Sequence, residues 1–160
     1  MAGVDEQGGA EQRALFRRWP AGVAVVVAEV EGRRTGLTVS GLVSLSLEPP
    51  LVGVSVACAA AMHELLAEAG AWAVSILAGD QEHVAQRFAR GVPPIAMWTN
   101  VTVREDDPRL LAGAAGWLVA REVERLRTGD HTLFVGHVET FEAGAAQTVL
   151  VSLEGGYRSL

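Results

Sequence analysis

Residues 36–50 read Gly36-Leu37-Thr38-Val39-Ser40-Gly41-Leu42-Val43-Ser44-Leu45-Ser46-Leu47-Glu48-Pro49-Pro50. The stretch starts with the alternation of a strand, breaks at Gly41, resumes and stops at two prolines. Its small hydroxyl groups are Thr38, Ser40, Ser44 and Ser46, and strongly apolar segments flank it at residues 23–30 and 51–56. A polar, glycine-broken segment between two apolar strands suits a floor on which something flat and polar can lie. The alternative is an edge strand with a bulge at Gly41, since glycine inside a strand pattern marks a bulge or a close backbone approach.

Outward from this stretch, the chain reads as mainly β. Residues 11–19 form a short helix with Leu15, Phe16 and Trp19 on one side, stopped by Pro20 and Gly22. Residues 21–31 are a valine-rich buried strand, and 51–57 are another. Residues 62–69 form a helix ended by Gly70, and 72–77 a strand. Asp80 caps a helix running to Ala89, with Val84 and Phe88 inward. After the break at residues 91–94, residues 95–103 are strand-like. Residues 116–127 and 131–142 make a long antiparallel hairpin around Thr128-Gly129-Asp130, whose charges take part of it out of the core. Residues 148–153 are the last strand. Seven or eight strands with three short helices fit a closed or partly closed antiparallel barrel, because closure protects strand edges.

The 160 residues suit one domain with a real core. The expected boundaries are a disordered tail over residues 1–10 and a single domain over 11–160. Apolar types at 49% and charged types at 20% do not describe a disordered chain. The net charge of −6 and the dispersed basic residues exclude the clustered footprint that nucleic acid requires. The single cysteine, Cys58, excludes an intrachain disulfide and a cysteine-rich zinc site. With no signal-like start and no apolar run long enough to span a bilayer, a cytoplasmic protein without a membrane partner is expected.

Four histidines need a reading. His63 beside Glu64 and His83 beside Glu82 lack the spacing of a zinc peptidase and read as helix-surface residues, so no metal is expected. His131 opens a strand after Gly129-Asp130 and stands at a barrel rim. There it either meets a cofactor carbonyl, amide or phosphate, or bonds to its own loop. His137 falls on the same side of that strand and reads as structural. No serine, histidine and acid group by spacing. The four tryptophans read as core or interface residues, with Trp98 the one best placed to meet a ligand.

Taken together, several segments resemble the flavin reductase family with an FMN-binding split-barrel fold, the reductase components of two-component flavin-dependent monooxygenases. They are Phe16-Arg17-Arg18 with Pro20-Ala21-Gly22-Val23, Gly36 to Ser40, Ser44 to Val52, His63, Trp72 to Leu77, Gln81, Arg87-Phe88-Ala89, Gly129-Asp130-His131-Thr132, Val135 to Val138, and Gly156-Tyr157-Arg158. Ser-Leu-Glu-Pro-Pro and Gly-Asp-His at this separation carry most of the specificity. The resemblance implies a homodimer with FMN or FAD near the subunit interface and NADH or NADPH as co-substrate. It assigns Thr38, Val39, Ser40, Ser44, Leu45, Ser46, Ala61, Met62, His63, Arg87, Phe88 and Tyr157 to the flavin, and His131 to the nicotinamide. It also implies a monooxygenase partner that receives reduced flavin.

The chain departs from that pattern in places. Ser40 and Gly41 stand where the family has Asn and then Ser or Ala. Ala59-Ala60-Ala61-Met62 replaces a hydroxyl-bearing run that helps to hold the flavin phosphate. Each lost charge-assisted hydrogen bond costs about 1.5–3 kcal/mol if nothing replaces it. The stretch over residues 93–99 is also shorter than the family loop. These departures keep two other readings open: a flavin- or haem-binding split barrel with little reductase activity, and a cofactor-free dimeric interaction protein.

Overall fold

The computed structural model describes residues 8–89 and 92–160, so residues 1–7 of the expected tail lie outside the described residues, as does Gly91 of the expected break. In chain order the elements are α1 (Gly8–Phe16), β1 (Ala21–Gly22), β2 (Ala24–Val30), β3 (Arg33–Val39), β4 (Leu42–Leu47), β5 (Pro50–Ala57), α2 (Ala61–Ala69), β6 (Ala71–Ile76), α3 (Glu82–Arg87), α4 (Pro94–Met97), β7 (Gly116–Thr128), β8 (His131–Ala143), β9 (Leu150–Leu153) and β10 (Gly156–Ser159). Seven strands form one antiparallel sheet in the order β3-β2-β6-β7-β8-β5-β4, while β1, β9 and β10 form a second.

Closure follows from the chain itself. β3 and β4 lie at opposite ends of the large sheet, yet only Ser40 and Gly41 separate them. In a flat sheet the end strands would stand about 29 Å apart, six spacings of about 4.8 Å. The three Cα steps from Val39 to Leu42 span at most about 11 Å. The sheet therefore curls until its ends meet. Ser55 N–H donates to the Gly41 carbonyl at 3.2 Å at that junction. The expected barrel is present, and its lips are β3 and β4.

Two cores explain the valine runs. Ala24, Val26, Val39, Val54, Met62, Trp72 and Phe134 fill the barrel interior. The alternate residues of the β2 segment, Val23, Val25 and Val27, pack outward against Val84, Phe88, Met97, Leu111 and Leu150. A strand buried on both faces carries no polar alternation, which accounts for the unbroken run. The long β7–β8 hairpin leaves the core over residues 121–128, as its charges implied.

Several local expectations need correction. α1 starts at Gly8 and ends at Phe16, and Leu15, Phe16 and Trp19 are exposed rather than packed. The break at Gly41 is a strand junction; the bulge lies between Ser44 and Ser46, where β4 slips against β5. Gln81, not Asp80, occupies the N-cap position of α3. Its side chain is drawn inward instead, accepting from Ala78 N–H at 3.0 Å and donating to the Ala112 carbonyl at 2.9 Å. Residues 95–103 are not a strand. Pro94 opens α4, because proline suits a first helical turn, and Val103 makes one bridge to Leu111. β9 begins at Leu150, two residues later than expected, and β10 adds a closing hairpin. The described residues thus hold ten strands and four helices rather than seven or eight and three.

Gly136 shows how tightly the barrel is packed. A Cβ built there would stand 2.6 Å from the Trp72 ring and 2.9 Å from Ala120 Cβ. Trp72 is fully buried, and its ring meets Phe134 edge-on at 6.4 Å. Gly136→Ala is expected to destabilise the protein by about 1–3 kcal/mol through overpacking. Thermal unfolding should show a lower Tm, with the backbone circular dichroism of the native state unchanged.

Candidate functional site

Strand alternation splits β3 in two. Leu37 and Val39 turn into the barrel, and Thr38 faces α3. The Thr38 hydroxyl donates to the Ala85 carbonyl at 2.7 Å, and Thr38 N–H donates to the Phe88 carbonyl at 2.9 Å. Gly36 N–H and the Thr35 hydroxyl both point at Met97 Sδ, each at 3.4 Å. Glycine is needed at position 36, since a Cβ would stand 2.7 Å from Phe88 Cδ1. The α3–α4 segment therefore seals this length of the β3 edge.

Trp98 belongs to the same seal. Its ring meets Phe88 edge-on at 5.0 Å, Arg34 stacks on it at 4.1 Å, and its Nε1–H donates to the Arg34 carbonyl at 3.2 Å. The expectation that Trp98 meets a ligand is not supported by these contacts, which use both its face and its only donor. Arg87 is likewise drawn away, donating to the Ala96 carbonyl at 3.4 Å.

Beyond the seal, β3 borders open space on both sides. One hollow of about 260 Å³ has Thr38, Val39, Ser40 and Gly41 as its floor, with Ser55 and His131 opposite. A smaller one of about 140 Å³ continues it past Ser40 to Ser152 and Tyr157. Burial raises the Tyr157 phenol above its ordinary value, and the charge of Glu82 acts in the same direction. The phenol is thus neutral at physiological pH, a hydrogen-bond donor. At the other end, about 250 Å³ lies between Gly36, Leu37, Ala59, Ala60, Ala61 and Phe88, with Met62 also on its wall. That end is almost wholly apolar, and the α2 N-cap residue Ala60 makes no side-chain hydrogen bond.

The two histidines near the barrel mouth differ in kind. His131 Nδ1–H donates to Asp130 Oδ1 at 2.7 Å, leaving Nε2 at the rim of the hollow. With the proton held on Nδ1, neutral Nε2 is an acceptor. His63 bonds through Nε2 to the Thr132 hydroxyl at 2.8 Å and packs edge-on against Phe134 at 5.3 Å. It faces the barrel wall rather than the hollow.

Of the residues singled out by sequence, Thr38, Val39, Ser40, His131 and Tyr157 gather on one connected cleft, and Ala61, Met62 and Phe88 line its apolar end. Ser44, Leu45 and Ser46 do not join them within one chain. They sit on the exposed β4 lip, with Leu45 lying over Gly53 on the outer barrel face. Ser55, Ser152 and Asp130 were missed as site residues. Ser55 follows from polar alternation in an apolar strand; Ser152 has no local signal, because only the pairing of β9 with β1 brings it near. Another hollow of about 250 Å³ surrounds Arg104. It offers no free charge, since Arg104 is shared between Asp106 at 2.7 Å and Glu142 at 2.9 Å. No group of metal-ligating side chains occurs among the described residues, and no described helix is long and apolar enough to cross a membrane.

The pattern of the flavin reductase-like domain matches residues 16–160. The chain belongs to that family. The reductase component of 4-hydroxyphenylacetate 3-monooxygenase from Thermus thermophilus is 37% identical over 148 residues, covering 92% of this chain and 94% of the relative. BorF, the flavin reductase component of a bacterial two-component tryptophan halogenase, superposes with a TM-score of 0.86 at 33% identity, over 95% of this chain and 98% of that one. The NADH:FAD oxidoreductase SgcE6 of Streptomyces globisporus, solved with NAD and FAD fragments, gives 0.87 at 30% identity, over 99% and 96%. Family membership makes this chain an oxidoreductase, and the residues present fit a flavin. The floor is the end of β3 at Thr38 and Val39 followed by the bend at Ser40 and Gly41, with Ser55 and His131 lining the same hollow.

The contrast between the histidines has a measurable consequence. His63→Ala removes a part-buried hydrogen bond and an aromatic contact, so it is expected to lower stability by about 1–3 kcal/mol. His131→Ala removes a half-exposed ring bonded only to an exposed neighbour and should stay within about 0.5 kcal/mol of the parent. Urea unfolding of both variants checks the pair.

Proposed function

We propose that the protein is an NADH- or NADPH-dependent reductase of FMN or FAD whose reduced product serves a separate flavin-dependent oxygenase or halogenase. The observation that carries this reading is the cleft along β3 with His131, oriented by Asp130, at its rim. The identities and roles of the relatives support it. When bound, flavin supplies the hydride acceptor and the reduced nicotinamide the donor.

The chain's own residues orient and exclude. Backbone groups of residues 38–41 and the Ser40 and Ser55 hydroxyls meet the polar edge of a flat ring, while Val39 holds the floor flat from beneath. Thr38 acts through structure: its hydroxyl ties β3 to α3 and so fixes the floor's height. In the tautomer with its proton on Nδ1, which the bond to Asp130 selects, His131 accepts from the carboxamide N–H of a nicotinamide through Nε2. No side-chain nucleophile is required, which agrees with the absence of one by sequence spacing. Among the described residues, the apolar end of the cleft offers a flavin phosphate no cation, and its one hydroxyl, that of Thr35, is turned to Met97 Sδ, so flavin exchanges readily and acts as a substrate.

A second copy of the chain completes the site in this reading. β4 is an unpaired lip carrying exposed Val43, Leu45 and Leu47, with Leu47 88% exposed. Such an edge is normally covered. Covering it with the same chain would bring Ser44 and Ser46 near a neighbouring cleft. Leu45→Lys with Leu47→Lys is expected to convert dimer to monomer by sedimentation velocity; a dimer unchanged by both lysines would rule out this lip as the interface.

Steady-state oxidation of NADH and NADPH, with FMN and FAD each titrated to saturation, tests the activity. Flavin-dependent turnover is expected, and His131→Ala should raise KM for the nicotinamide about 2–10-fold, the loss of one hydrogen bond. A folded protein with no turnover at saturating flavin would overturn the reading.

A further inference from the structure

A further open cleft, more spacious than the hollows along the floor, lies beyond it. About 390 Å³ lies between Arg13 of α1, Arg17 in the turn after it, the exposed Trp19 and Phe16, and the hydroxyl-bearing Ser40 and Ser152. That is within the size range of ligand sites. It shares Ser40 and Ser152 with the Tyr157 hollow, which in turn shares Thr38, Val39 and Ser40 with the His131 hollow. A single path therefore runs from His131 past Ser40 to α1.

The chemistry of this end is specific. Among the described residues, no carboxylate lines the cleft. Five other arginines, at positions 33, 104, 109, 121 and 125, are ion-paired, but among the described residues Arg13 and Arg17 have no carboxylate within ion-pair distance. In a chain of net charge −6, two guanidiniums four residues apart, linked by the Arg17 N–H bond to the Arg13 carbonyl at 3.0 Å, are a local reversal of sign among the described residues. Arg17 is also placed: its carbonyl accepts from Glu154 N–H at 2.6 Å, and its side chain runs along the β9–β10 turn, within about 4 Å of the Cβ position at Gly155. Trp19 is 71% exposed, unusual for the largest apolar side chain, and offers a ring face beside these charges. Guanidiniums bind phosphate oxygens in a fork, and an indole face accepts a purine by stacking.

We propose that Arg13, Arg17 and Trp19 form a subsite for an adenosine diphosphate group, the end of the dinucleotide remote from the reacting ring. This rests on the reductase reading for the choice of nucleotide. Among the described residues, the apolar cleft at residues 59–62 has no comparable charge, so the subsite is placed at Arg13 and Arg17 instead. Two sources carry this group: the reduced nicotinamide dinucleotide and FAD. FMN lacks it.

Calorimetric titration of the full chain with 5′-ADP at low salt tests the subsite directly, without turnover. The parent is expected to bind ADP, Arg13→Ala with Arg17→Ala to bind it about tenfold more weakly or worse, and Trp19→Ala about threefold more weakly. Arg17→Lys in the Arg13→Ala background should recover part of the loss, because charge is restored without the fork. All three side chains are exposed, so unfolding midpoints of the variants should match the parent. The source is then read from two further measurements. A raised KM for NADH with unchanged FMN and FAD affinities assigns the subsite to the nicotinamide dinucleotide. A weakened FAD affinity with unchanged FMN affinity assigns it to FAD. No binding of ADP by the parent at millimolar concentration, or equal binding by parent and double variant, would overturn the proposal. Failure of the reductase reading shows separately, as absence of turnover whatever the ADP titration gives.

Discussion

The two-residue link between β3 and β4 is the constraint on which the rest depends. It joins the first and last strands of a seven-stranded sheet, so the sheet has to close. Closure puts Ser40 and Gly41 at the seam, opposite Ser55 and near the start of β8. A seam is where backbone hydrogen-bonding groups are left over, because neither lip has a strand beyond it. The cleft is thus a by-product of closing the barrel with so short a link. Its polar floor is the price of an incomplete ladder, and a flat ligand with polar edges can use the groups that a further strand would have used.

The protein spends α3 and α4 on half of that seam. Phe88, Met97 and Trp98 cover the β3 edge over residues 35–38 and complete an outer core against Val25 and Val27. This explains why β2 is apolar on both faces while β3 is not. It also explains the roles of Thr38 and Gly36, one a tether and the other a close approach. The remaining edge, from residue 39 onward, stays open because the chain has already turned toward β4.

Much of this was legible from local pattern. Alternation, the turn residues at Gly70 and Gly129, and the valine runs located the strands and the hairpin. The position of His131 at a rim followed from its place after a tight turn. Three features were not legible, each for a physical reason. Residues 95–103 carry the apolar content of a strand, but Pro93-Pro94 opens a helix and the apolar side chains Met97, Trp98, Val101 and Val103 go into the outer core. Trp98 looked like a ligand contact because its surroundings were irregular in sequence, yet Arg34 and Phe88, over sixty residues away in one case, occupy its faces. Ser152 reaches the cleft only through the pairing Ala21↔Ser152, a long-range fact that no window of sequence contains.

Site residues on the two lips raise a different point. Within one chain, Thr38 to Ser40 and Ser44 to Ser46 belong to strands at opposite ends of the sheet, and β4 turns its side chains to solvent on both faces. Their hydroxyls lie close in sequence only because the link is short. Exposed leucines on an unpaired lip are costly to leave uncovered in water, whereas the guanidiniums of Arg13 and Arg17 are hydrated there. An apolar edge calls for another protein surface; isolated guanidiniums beside an indole call for a small anion with a flat face. The cleft lies between these two features, and in the proposed reading the reacting end of a dinucleotide sits at the barrel seam with its charged end away from it.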